Sequence, residues 1–333
     1  MTAPLRPMNL GEILDRTFQI YRSRSLVFAG IAALPALAMM GLHMAPDRWL
    51  HGPSTVYLSR RGVTLWNLAV SLGFYHVASF LALLFFPAQI HVTSATFFGE
   101  RSSILAALRF SIARWRSYLW IAVLKLTAGL VIPEILVLAV ILGEFTIAAI
   151  AGSLNSPEVF GGGAAVLVVA LPVIAGCVLF VWVGSCFSLA VPACALEDLS
   201  GFNSLRRSWT LSKHSRARIM FTWLMIVVFS SLLMYCLEWL FRWIFVDLCH
   251  GFAPGAATRN LYVPSVYFLR AMVSTITGPI YPIAITLFYY DQRIRLEGYD
   301  IERMMDAAGM NAPEASLVGD SPIMSAAPEE VQS

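Results

Sequence analysis

Apolar positions fill long unbroken stretches of the chain, and charged positions fall between them. Uncharged runs cover residues 25–46, 62–99, 159–196, 219–237 and 271–290. A helix of about 20 apolar residues crosses the hydrocarbon core of a bilayer, so every run is long enough to span. The pattern predicts six membrane helices, near 25–44, 65–90, 118–142, 163–190, 219–245 and 265–290. The third is the least regular. Lys125, Glu134 and Glu144 interrupt the apolar stretch from Tyr118 to Ala151, so its far end is expected to project or fold back.

Ahead of three membrane hairpins the period changes to that of amphipathic helices. Residues 9–23 place Leu10, Ile13, Leu14, Phe18 and Tyr21 on one face, with Glu12, Asp15, Arg16, Gln19 and Arg22 on the other. Asn9 and Glu12 have the spacing of a reciprocal N-cap pair, which satisfies backbone N–H groups left open by the first turn. Residues 101–116 repeat the design with Ile104, Leu105, Leu108, Ile112 and Trp115, and residues 201–213 do so more weakly with Phe202, Leu205 and Trp209. Aligning Asp15–Arg22 with Arg206–Lys213 matches residue types at most positions, and Arg109 falls near the midpoint, giving a period of about 95 residues. A threefold array of interfacial helix plus two spans explains this. So does the alternative that the connecting loops of an Arg-rich membrane protein all become basic and amphipathic.

Composition fixes the class. Of 333 residues, 58% are apolar and 13% charged, against about 25% charged in soluble domains. That excludes an ordinary soluble protein. The net charge of +3 is small and the basic residues are scattered among short loops, so nucleic acid is not an expected partner. Orientation follows from the Lys and Arg count, because positive loops stay in the cytoplasm. Sixteen of the 23 basic residues fall in the N-terminal segment, the second and fourth loops and the C-terminal segment, and four (Arg48, Arg60, Arg61, Arg259) on the other side. Both termini are therefore expected in the cytoplasm, with the protein in the bacterial inner membrane. Glu12 and Asp15 stand among the arginines of residues 1–24, unlike a cleaved signal peptide, so the first span reads as an anchor. The domain reading is a cytoplasmic segment (1–24), a transmembrane domain (25–305) and a disordered tail (306–333) of Ala, Pro, Ser and unopposed acids.

Three charged stretches carry a family resemblance: Glu12-Ile13-Leu14-Asp15-Arg16 with Tyr21-Arg22, then Ser204-Leu205-Arg206-Arg207-Ser208-Trp209, then Tyr289-Tyr290-Asp291-Gln292-Arg293-Ile294-Arg295-Leu296-Glu297-Gly298-Tyr299-Asp300. Together they resemble the bacterial polytopic family that includes the membrane domain of some glycerophosphoryl diester phosphodiesterases, over residues 6 to about 305. The resemblance implies a bundle of about six membrane helices. It implies no phosphodiesterase activity, because that belongs to a separate soluble barrel whose His-Arg-Gly start has no counterpart here.

Site chemistry is sparse. The last charged stretch follows directly on a span, with Asp291 placed to face Arg295 and Glu297 to approach Arg293; Arg206 and Arg207 suit Asp291 or Glu297, since guanidinium grips carboxylate bidentately. These groups read either as a network gating a conformational change or as a solvated helix at the membrane edge that fixes topology. Arg16, Arg206, Arg207, Asp291, Arg293 and Arg295 are the candidate contacts for anionic lipids or for a membrane-protein partner. At membrane depth, His76 and Glu134 form a candidate polar pair, while Glu238 has Arg242 at i+4 as a mate. Prolines at 35, 87, 133, 172, 279 and 282 read as hinges or packing shapes. His43, Asp47 and His51, and Asp247, Cys249 and His250, are weak metal groupings, because Pro46 and Gly52 break the helical spacing of the first set. The five cysteines contain no C-x-x-C pair, and no catalytic or cofactor motif occurs. The sequence thus points to an all-α polytopic bundle without catalytic residues, metal or cofactor: an accessory or scaffold protein organising lipids or partners at the inner face. The alternative is a transporter of a lipid or small solute.

Overall fold

A computed structural model describes residues 6–49, 84–127, 163–244 and 256–308, with isolated positions at 73, 77, 80, 135, 143 and 310; the side chains of 43–49, 126, 163–173 and 256–263 are outside this description. Among the described residues every regular element is a helix. In chain order these are α1 (Leu10–Ser23), α2 (Ser25–Trp49), α3 (84–97), α4 (Ile104–Ala113), α5 (Trp115–Leu126), α6 (Gly163–Cys186), α7 (Ala190–Leu196), α8 (Gly201–Ser212), α9 (Arg216–Arg242), α10 (Ala256–Thr277), α11 (Ile280–Glu297) and α12 (Tyr299–Ala307). Among the described residues four stretches are long and apolar enough to cross a membrane: Ser25–Leu42, Ile174–Leu196, Arg216–Arg242 and Pro264–Glu297. Most of the second and third expected spans, with His76 and Glu134, lies outside the described residues, as does the tail from 311 onward.

The central post is α11, buried along nearly its whole length from Ile280 to Ile294. It packs against α1, α7, α8, α9 and α12. Its Ile283, Leu287 and Phe288 join Ile13 and Ile20 of α1, Phe28 and Ile31 of α2, Val92 of α3 and Leu211 of α8 in one apolar core. A smaller core joins Ile90, Tyr118 and Ile121 to Val191 and Cys194. Whereas α11 is inside, α9 turns most of its apolar surface outward, with Phe221, Leu224, Phe229, Leu232 and Trp239 exposed. An apolar surface of that extent is stable against lipid, not against water.

Each amphipathic helix joins the next through a brief non-helical joint. Arg24 (φ −139, ψ 32) separates α1 from α2, Arg114 (φ −123, ψ 26) separates α4 from α5, and Ser215 (φ −121, ψ 3) precedes α9. The reciprocal cap at α1 is present: the Glu12 N–H donates to Asn9 Oδ1 at 2.8 Å and the Asn9 N–H donates to Glu12 Oε2 at 2.8 Å. Positive φ occurs at Gly99 (82), Asp198 (58) and Gly298 (64), each just after a span-end helix and just before an amphipathic one. The left-handed conformation closes a helix, and glycine adopts it without a Cβ clash.

The amphipathic helices divide their apolar residues between the protein and the outside. In α8 the buried residues are Gly201, Ser204, Ser208, Leu211 and Ser212, while Phe202 is 73% and Trp209 41% exposed. In α4 Ala107 and Ser111 are buried, while Leu105 and Ile112 stand out, 68% and 67% exposed. Ile104 and Leu108 of α4 and Leu205 of α8 pack against the two cores, the fully buried positions are mostly small residues, and the rest of each apolar face looks outward. Small side chains let the backbones approach: Ser208 and Ser212 hydroxyls both donate to the Cys186 carbonyl, at 2.8 and 3.1 Å. Only α1 turns a mostly apolar stripe inward, through Ile13, Thr17 and Ile20, with Phe18 outward.

Candidate functional site

Asp291 anchors the basic end of the bundle. Its carboxylate has no solvent exposure and is met from three parts of the chain. Arg295, one turn along α11, donates through Nε to both oxygens at 3.0 Å. Arg218, at the start of α9, donates at 3.0 Å. The Met8 backbone N–H donates at 2.8 Å across a sequence separation of 283 residues, and the Gln292 amide adds a bond at 3.1 Å. The Met8 carbonyl in turn accepts from Arg295 Nη2 at 2.7 Å. The backbone of Met8 is thereby held through both its N–H and its carbonyl, which fixes the lead-in to α1 against the central post.

A second network lies on another side of α11. Arg207 of α8 binds Glu197 with Nε at 2.9 Å from Oε2 and Nη2 at 3.1 Å from Oε1, and reaches Glu297 at 2.6 Å. Arg293 donates to Glu297 at 3.1 Å and to Glu302 of α12 at 3.3 Å, and the Tyr289 hydroxyl donates to Glu197. Burial alone disfavours a charged Arg207, but the bonds to Glu297 and Glu197 outweigh it and raise its pKa above the ordinary arginine value. The arrangement ties the end of α7, the middle of α8, the end of α11 and the start of α12 into one unit. The contacts that join it are ion pairs and one tyrosine–carboxylate hydrogen bond.

The candidate residues thus separate into two groups. Asp291, Arg293, Arg295 and Arg207 are engaged inside the protein, Asp291 with Arg295 and Glu297 with both Arg207 and Arg293. Asp291 meets Arg218 where Arg206 or Arg207 was expected. Arg206 is exposed and has no carboxylate partner among the described residues. Arg16 donates to Gln19 at 3.1 Å and lies over the Phe97 ring at 5.9 Å. Arg22, Arg101, Arg109, Arg116 and Lys213 share the exposed, carboxylate-free state of Arg206. Glu238, expected to pair with Arg242, instead faces Arg270 of α10 at 3.4 Å.

Sequence reasoning missed Met8, Glu197, Arg218 and Tyr289. Glu197 had one signal, as the first charge after a 38-residue uncharged run from 159 to 196. Met8 had none, because a backbone group acts there. Neither proposed metal grouping has its side chains within the described residues, among which no cluster of three or more His, Cys, Asp or Glu occurs. Compared with protein-family models, with curated proteins and with solved structures, the chain finds no match in any of the three.

Proposed function

We propose that this is a non-enzymatic, six-span protein of the bacterial inner membrane, N-in and C-in, that organises anionic lipids or a partner protein at its cytoplasmic face. The carrying observation is the contrast between spent and free charge at the basic end. Glu197, Asp291, Glu297 and Glu302 take up Arg207, Arg218, Arg293 and Arg295, whereas Arg22, Arg101, Arg109, Arg116, Arg206 and Lys213 remain exposed. Beside the free bases stand the outward Leu105, Ile112, Trp115, Phe202 and Trp209. Apolar side chains at the acyl boundary with arginines at the headgroups are the two halves of an interfacial lipid contact. The internal networks hold that surface in shape, so Arg207, Asp291, Arg293 and Arg295 are positioning residues and Arg206 is a contact residue.

A threefold repeat is consistent with the joints at Arg24, Arg114 and Ser215 and with left-handed stops at Gly99, Asp198 and Gly298. A kinship with the membrane domain of glycerophosphoryl diester phosphodiesterases rests on the three charged stretches alone. The test is lipid and partner retention by the full chain purified from its own membranes. Changing Arg109, Arg116 and Arg206 to glutamine removes about 1 kcal/mol of attraction per base and is expected to lower retained anionic lipid by roughly half or more. Unchanged lipid and partner content would overturn the reading.

Transport of a lipid or small solute is the second reading, favoured by a cavity of about 740 Å³ between α2, α3, α9, α10 and α11. It would use His76 and Glu134 as part of a polar route. Flux through reconstituted vesicles should then fall when Glu134 becomes glutamine.

A further inference from the structure

The 740 Å³ cavity has the size of a small-molecule site, for which about 300–1,000 Å³ is usual. Most of its wall is apolar, including Met39, Phe86 and Met234. Two features of the wall are not accounted for by packing. Gln89 of α3 is only 5% exposed, lines the cavity, and its side-chain Oε1 receives no hydrogen bond. A buried carbonyl left unpaired costs about 1–3 kcal/mol, and a rotation of the Gln89 side chain toward a donor in the cavity would relieve it.

The second feature is the break between α10 and α11. Pro279 and Pro282 have no N–H, so the carbonyls of Thr275 and Gly278 lose their i+4 donors. Gly278 lines the same cavity, and its own N–H donates to the Ser274 carbonyl at 2.8 Å. A Cβ at Gly278 would stand 2.5 Å from that carbonyl, which holds the position to glycine. Gly278 lies thirteen residues from Asp291, about 20 Å along a helix, and falls inside the Pro264–Glu297 stretch that is apolar enough to cross a membrane. Broken helices within a span persist where the freed backbone lines a cavity, and such breaks form binding sites in membrane proteins.

We infer that this cavity is a binding site for an amphiphile with an apolar body and a hydrogen-bond-donating hydroxyl or amine head, the head meeting Gln89 and the Gly278 carbonyl. Glu238 and Arg270, which also line the cavity, are engaged with each other, and at the Gln89–Gly278 end the head meets two acceptors and so donates. The site is independent of the lipid contacts proposed at the basic end, and it serves a resident lipid or a transported one equally.

The test uses the full chain in phosphatidylcholine vesicles with three photoactivatable probes of the same chain length: octadecanol, octadecylamine and octadecyl methyl ether. The alcohol or the amine is expected to label cavity peptides about fivefold more strongly than the ether, the fold-change of one net hydrogen bond. Gln89→Leu is expected to erase that preference while leaving thermal stability unchanged or raised, since it removes an unpaired polar group. Ser230→Phe, which narrows the cavity from α9, should reduce all labelling. Equal labelling by all three probes, or a donor preference that survives Gln89→Leu, would overturn the inference and leave the cavity a groove filled by bulk bilayer lipid.

Discussion

Asp291 is the side chain on which the basic end depends. An unpaired carboxylate with no solvent exposure would be untenable, and here two guanidiniums and a backbone N–H compensate it. Asp291→Asn keeps the shape but leaves Arg218 and Arg295 without their counter-charge. The loss is expected to be about 2–3 kcal/mol, below the full value for a buried pair because both guanidiniums reach solvent. Thermal unfolding in detergent checks it, with Glu302→Gln as the reference; that pair is half exposed and should cost less than about 1 kcal/mol. At the other end of the latch, the Asn9 backbone N–H is the main cause holding the Glu12 carboxyl below its ordinary value of 4.5, assisted by Arg6. A depressed carboxyl stabilises the fold above the unfolded value and loses that contribution as pH falls through the folded one. Hydrogen exchange in the first turn of α1 should therefore be slow at neutral pH and accelerate below about pH 4.5 in the wild type, while Glu12→Gln is already fast at neutral pH. Partners within one helix, Asp291 with Arg295 and Arg293 with Glu297, were legible because i, i+4 spacing encodes them. The contacts of Met8, Arg218 and Glu197 were not, since they arise only when distant helices meet.

Helix boundaries were read more reliably than helix orientation. The cap at Asn9 and the amphipathic periods located α1, α4 and α8 to within a few residues. The sequence located an apolar face on α4 and α8 but not its neighbours: outward Leu105, Ile112 and Phe202 suit lipid, while inward serine and alanine let backbones approach. The two faces of α8 give a direct check. Ser208→Leu forces bulk against the Cys186 carbonyl and should destabilise by about 1–3 kcal/mol in thermal unfolding. Phe202→Ser, on the exposed face, should leave the unfolding temperature in detergent nearly unchanged. The left-handed residues at 99, 198 and 298 are nearly equally spaced although one is aspartate. That spacing sits close to the period of about 95 read from the arginine stretches.

Across the bundle, the hydrophobic pattern gave helices and a membrane setting, but it did not distinguish the mostly buried α11 from the largely exposed α9. Both contain an uncharged run long enough to span, 219–237 and 271–290, and how many helices surround each is a property of assembly. Burial of α11 places the charged stretch at 291–297 at the meeting point of five helices, and the unspent arginines follow as the outer surface of that junction. The arrangement has a function in lipid or partner organisation only if the basic loops share one compartment. Single cysteines at Arg109, Arg206 and Arg303, in an otherwise cysteine-free chain, can be probed with a membrane-impermeant thiol reagent in right-side-out and inverted inner-membrane vesicles. Labelling of all three in inverted vesicles alone is the predicted result; labelling of any one of them in sealed right-side-out vesicles would contradict it.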